Sequence, residues 1–166
     1  SGRIKFWGAA VDMAVERPQG MGVAGFNSRV AYYLTDEERG GTTFRAVHSL
    51  WFQGLTEIGW HGIVFFLMML YATFRLSRRA RKRLLETGET TTYFKLLALE
   101  CALIGFLITG SFINQFRAEI LYWMVLLVAV GAKVYYLQPM AQEQARNRKP
   151  AQYPVARKLP PNAGNA

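Results

Sequence analysis

Residues 45–75 read RAVHSLWFQGLTEIGWHGIVFFLMMLYATFR: His48, Gln53 and Glu57 are set among aromatics, and the second half is apolar, without formal charge until Arg75. A histidine titrates near neutral pH and can accept or deliver a proton, so His48 is the first candidate for acid–base chemistry. If the apolar half lies in lipid, the three polar side chains sit just outside it. That is the depth at which a membrane enzyme meets a lipid-linked substrate. His48 also falls at helical spacing with Trp51, Phe52 and Leu55, so a packing role stands beside the chemical one. His61 fits an interfacial side chain.

The elements that must carry these residues follow from composition. The chain has 166 residues, enough for one domain, and 51% of them are hydrophobic. The mean hydropathy of +0.07 hides a segregation into three apolar blocks separated by basic segments. The blocks are residues 60–76, 93–116 and 120–137, each close to the ~20 residues needed to cross a bilayer as a helix. The expected fold is an all-α integral membrane protein with about three transmembrane helices. The first is expected to be continuous with residues 48–58 and to bend at Gly59 and Gly62. Cys101, the single cysteine, lies inside an apolar block, which leaves neither a disulfide framework nor a cysteine-rich metal site. No metal or cofactor is expected.

Charge sets an orientation. Residues 1–59 are net neutral, whereas residues 75–95 and the segment from Lys133 onward each carry a net charge of +5. The positive-inside rule then makes the RLSRRARKR linker and the C-terminus cytoplasmic, and puts the His48 region on the periplasmic side of a bacterial inner membrane. The basic excess gathers at membrane ends rather than along one folded surface, which argues against nucleic acid as a partner.

Residues 3–16 place Ile4, Trp7, Val11, Ala14 and Val15 on one helical face, an amphipathic helix at the membrane surface or against the bundle. It stops before Pro18. The glycines of PQGMGVAGF match neither a P-loop nor a dinucleotide fingerprint and read as a turn. Residues 27–44 form a long polar loop, a candidate lid. Glu100 and Lys133 fall near the cytoplasmic ends of antiparallel helices, where a structural ion pair or snorkelling is expected. The turn SFINQFRAE returns Arg117 to the His48 side. Domain bounds follow: residues 1–59 a periplasmic region, residues 60–138 the membrane helices, and residues 139–166 a disordered cytoplasmic tail.

Arg3, Trp7, Pro18, Gly20, Gly22, Gly25 and Phe26, then a polar loop, then His48, Ser49, Phe52, Gln53, Leu55, Glu57, Gly59 and Gly62 opening a transmembrane helix, form an ordered pattern. It resembles the C-terminal part of the O-antigen ligase and polymerase family. The VHSLWFQGLTEIGWHG form is most similar to the exosortase-associated O-glycosylation ligases. The resemblance covers the chain up to its tail. It implies the C-terminal part of a larger multi-pass bundle that moves a glycan from undecaprenyl diphosphate to an acceptor hydroxyl on a lipid, protein or glycan, without a metal. In that reading His48 is the base or orienting group and Arg3 binds the departing diphosphate; Arg45 and Arg117 are further cation candidates by location. Gln53 and Glu57 are possible supports. The family's earlier helices, and a further phosphate-binding arginine, are not in these 166 residues. A non-catalytic membrane module, an inactive fragment or a polymerase therefore stands as the alternative.

Overall fold

The computed structural model describes residues 2–147. Helix α1 (Gly2–Glu16) is followed by the short α2 (Gly25–Arg29) and a 3-10 turn, Val30–Tyr32. Three long helical runs come next: α3 (Leu50–Glu86), α4 (Thr90–Gly110) and α5 (Glu119–Ala132). A π-helical turn, Lys133–Leu137, carries α5 directly into α6 (Gln138–Asn147). There is no strand among the described residues. Three of the helices are long and apolar enough to cross a membrane: α3, α4 and the continuous run that begins at Glu119.

The bundle is held by heptad seams. On α3 the buried residues Ile63, Phe66, Leu70, Thr73, Ser77, Ala80 and Leu84 recur at alternating three- and four-residue steps. Leu96, Glu100, Leu103, Leu107 and Gly110 on α4, and Leu121, Val125, Val128 and Ala132 on α5, keep the same rhythm. Such spacing keeps one stripe of each helix toward its neighbours. The outward faces carry Phe65, Met68, Tyr71, Ile108, Leu126 and Leu127, all exposed, while Thr73, Ser77 and Glu100 point inward. Large apolar side chains outside and polar ones inside are what a lipid solvent favours.

Gly59 interrupts α3 with φ 71° and ψ −174°, a conformation essentially restricted to glycine. The helix continues on both sides, so the expected bend is there at Gly59 but not at Gly62, and the first apolar helix is far longer than residues 60–76. The break frees backbone groups that residues 18–22 satisfy. Trp60 N donates to Pro18 O, and Met21 N and Gly22 N donate to the carbonyls of Thr56 and Glu57. A Cβ at Gly20 would lie 2.6 Å from both Glu57 O and Gly59 N, so this contact needs glycine on both sides. The turn expected at PQGMG is a splice plate for the interrupted helix.

Several expectations are corrected. The basic linker is not a loop: α3 runs through it and stops at Thr87, where Gly88 (φ 76°) lets Glu89 N reach Leu84 O and Gly88 N reach Leu85 O, a Schellman ending. The second span ends at Gly110 rather than at residue 116. The buried face of α1 is Phe6, Ala9, Ala10, Met13 and Ala14, whereas Ile4, Val11 and Val15 are exposed. Only Ala14 of the expected face is fully buried, and Trp7 is half-buried. The segment 27–44 is ordered around Arg39, which is 5% exposed and donates to Leu34 O, Thr42 O and the Asp36 carboxylate. Glu100 pairs with Arg81 (2.6 Å) on the extension of α3, and Lys133 is exposed. The tail expected to be disordered is helical over Gln138–Asn147; its remainder lies outside the described residues.

Candidate functional site

His48 is not on α3. It lies two residues before the helix in a left-handed backbone conformation, φ 52°, which costs a non-glycine residue about 1–2 kcal/mol. Its neighbours on both sides are pinned. Val47 is fully buried and its carbonyl accepts from Trp7 Nε1 (3.2 Å), while Ser49 N donates to Asn114 Oδ1 (3.2 Å). Trp7 in turn stacks on Phe52 at 5.4 Å. With residues 47 and 49 both committed to the core, the half-buried His48 between them lines an open cleft instead.

Arg3, Arg45 and His48 line that cleft together, an open space of about 490 Å³ bordered also by Phe6, Glu37 and Glu38. Arg3 is exposed near the N-terminus of α1. Arg45 is fixed through Nε, which donates to Arg39 O (2.8 Å). A Cβ at Gly40 (φ 66°) would meet Arg45 Nη2 at 2.8 Å, so the glycine leaves room for the guanidinium to lie over the turn. The loop is tied to α1 by Lys5 and Glu38, 2.9 Å apart. The hydrogen bond between them lowers the Glu38 pKa and raises that of Lys5. Tyr33 donates to the Glu16 carboxylate, which raises the phenol pKa.

Gln53, Glu57 and Arg117 form a second, separate group. Glu57 is 8% exposed, and its Oε1 accepts from Gln53 Nε2 (3.2 Å) and Ala24 N (3.1 Å) and lies 3.4 Å from Arg117 Nε. Gln53 Oε1 accepts from Phe116 N (3.2 Å). These three residues tie α3, the 18–24 segment and the α4–α5 turn together. None of them lines the His48 cleft, so Arg117 is separated from the two arginines with which sequence position grouped it. Arg39, which organises the loop, escaped the sequence reading; an arginine three residues after Asp36 and just before Gly40-Gly41 was its one signal.

A larger space, about 560 Å³, opens at the far end of α3 among Arg79, Lys82, Arg83, Tyr136 and Met140. It has no histidine and lies beyond the last apolar turns, so the His48 cleft is the better candidate for proton chemistry. No group of three or more His, Cys, Asp or Glu side chains among the described residues could hold a metal ion. Comparison with protein-family models, curated proteins and solved structures found no match for this chain.

Proposed function

We propose that the protein is the catalytic C-terminal part of an O-antigen ligase-like glycosyltransferase of the bacterial inner membrane, with the His48 cleft on the periplasmic side. The donor is a glycan on undecaprenyl diphosphate. The acceptor is a hydroxyl of a lipid, a protein or a growing glycan, and a polymerase differs from a ligase only in that choice. The observation that carries the reading is the convergence of Arg3, Arg45 and His48 on one cleft from segments more than forty residues apart in sequence.

In this reaction the acceptor oxygen forms a bond to the anomeric carbon as the bond from that carbon to the diphosphate breaks. The acceptor proton passes to the His48 imidazole, and the diphosphate leaves with the bonding pair. Arg3 and Arg45 offset the charge that develops on it, the kind of preorganised electrostatic help that dominates many transfers. The left-handed backbone at His48 is consistent with strain retained where function requires it.

Replacing the two cleft arginines separately from Arg117 tests the assignment, with glycan transfer measured in the complete cellular protein. A lysine keeps the charge but loses the planar fork that grips a phosphate through two hydrogen bonds. Arg3→Lys and Arg45→Lys are expected to lower transfer at least tenfold, and Arg117→Lys to leave it nearly intact. Equal tolerance at all three positions would reduce the cleft arginines to surface charge and favour a non-catalytic membrane module.

A further inference from the structure

The outward line of α3 changes character along its length. Val64, Met68 and Tyr71 are exposed on one side of the helix, and Arg75, Arg78, Arg79 and Lys82 continue that same side, all exposed. At 100° per residue the four cations occupy an arc of roughly 100°, directly opposite the buried seam of Thr73, Ser77, Ala80 and Leu84. Arg75 and Arg78 therefore face away from the bundle, while the exposed Arg79 and Lys82 border the groove that α3 forms with Tyr136 and Met140. The inward-leaning cations of the same segment already have acids: Arg81 meets Glu100 at 2.6 Å, and Arg83 meets Glu143 at 2.8 Å. On the outward stripe the only carboxylate contact among the described residues is a long one, Lys82 to Glu86 at 4.0 Å between two exposed side chains. Glu86 also ends the stripe.

We propose that this line is a binding surface for anionic phospholipid, with an acyl chain along Val64 and Met68, the glycerol level at Tyr71, and the phosphate among Arg75, Arg78, Arg79 and Lys82. The order of chemistries is the argument. A nucleic acid or an acidic protein would need the cations but not the apolar track that leads into them. Arg75 lies 6.0 Å from the Tyr71 ring centroid, which places an aromatic and a cation together at the apolar–polar boundary. From Arg75 to Lys82 the stripe rises about 10 Å, comparable with the headgroup layer and with one Debye length in physiological salt. Four cations within that height, next to a leaflet of negative surface potential, attract anionic headgroups cumulatively. The inference rests on membrane insertion and not on the glycan chemistry.

The test reconstitutes the full chain in phosphatidylcholine vesicles containing trace spin-labelled phosphatidylglycerol or phosphatidylcholine, and measures the motionally restricted fraction of each. Flotation with the vesicles reads insertion separately. Wild type is expected to prefer phosphatidylglycerol several-fold at low salt. Arg75→Gln, Arg78→Gln, Arg79→Gln and Lys82→Gln combined should bring that preference to parity, with Arg78→Gln plus Arg79→Gln alone intermediate if the fourfold variant does not fold. Millimolar inorganic phosphate should leave the preference in place. Parity in wild type, full preference in the double variant, or displacement by inorganic phosphate would each overturn the proposal, the last by indicating a free-anion site. So would binding of a soluble polyanion, such as a short RNA, with no lipid preference.

Discussion

His48 owes its place to its neighbours. Trp7 holds Val47, Asn114 holds Ser49, and the histidine between them lines the cleft. The opposite wall is held by the Lys5–Glu38 pair, whose stability contribution has a defined pH window. Glu38 titrates below its ordinary value of 4.5, so its contribution is present above 4.5 and is lost as pH falls through the lowered value. Lys5 titrates above its ordinary 10.5, so its contribution is present below 10.5 and is lost as pH rises through the raised value. The loop should therefore be best protected between those limits. Hydrogen exchange of residues 35–44, corrected for intrinsic rates, should reveal increased opening under acid conditions in wild type and a reduced acid response in Glu38→Gln. That Arg3, Arg45 and His48 would share one cleft was not legible, because the resemblance and position beside a membrane helix name residues without bringing them together. The sequence assigned His48 to the helix face of Trp51, Phe52 and Leu55, because a periodic pattern does not register a positive φ. It also grouped Arg117 with the cleft, since position beside a membrane span does not reveal that Glu57 already holds the guanidinium.

At the level of elements, α3 organises everything else, and Gly59 is its weakest link to change. A side chain there would meet Gly20 N at 2.6 Å and would be forced into a glycine-only conformation. Gly59→Ala should destabilise the protein by at least about 3 kcal/mol, read as a lowered melting temperature in detergent. Gly105→Ala, whose Cβ meets nothing within 4 Å, should leave it unchanged or slightly raised. Comparable melting of both variants would remove the splice-plate account of residues 18–22. The bend itself was legible because glycine at the edge of an apolar run marks a break. The length of α3 was not, since the basic residues from Arg75 onward hid Ser77, Ala80 and Leu84, which keep the seam in register. For α1 the difficulty was the reverse: apolar residues fall on two faces, and hydropathy alone does not say which face meets the bundle.

For the whole molecule, the charged end of α3 and the His48 cleft lie at opposite ends of an apolar bundle, so topology and function are linked. With Cys101, which is exposed, first replaced by alanine, single cysteines at Thr42 and Glu89 report the two sides. A membrane-impermeant thiol reagent added to spheroplasts should label position 42 at once and position 89 only after the membrane is opened. The reverse pattern would move the cleft to the cytoplasm and end the proposed reaction. Three helices long and apolar enough to cross a membrane, and their approximate positions, were legible from the apolar blocks. The pairing of Glu100 with Arg81 was not, because it depends on the helix continuing through the basic segment.

In the proposed reaction His48 takes the acceptor proton. The most direct measurement is glycan transfer from an undecaprenyl-diphosphate-linked donor by His48→Gln and His48→Ala, alongside protein level and melting temperature. Lost acid–base help predicts transfer lowered by about 10²–10⁴-fold in both variants, with level and melting nearly unchanged; His61→Ala, on an exposed residue of α3, should transfer as wild type. Wild-type transfer by His48→Gln would contradict the assignment and leave His48 as a packing residue at the mouth of the cleft.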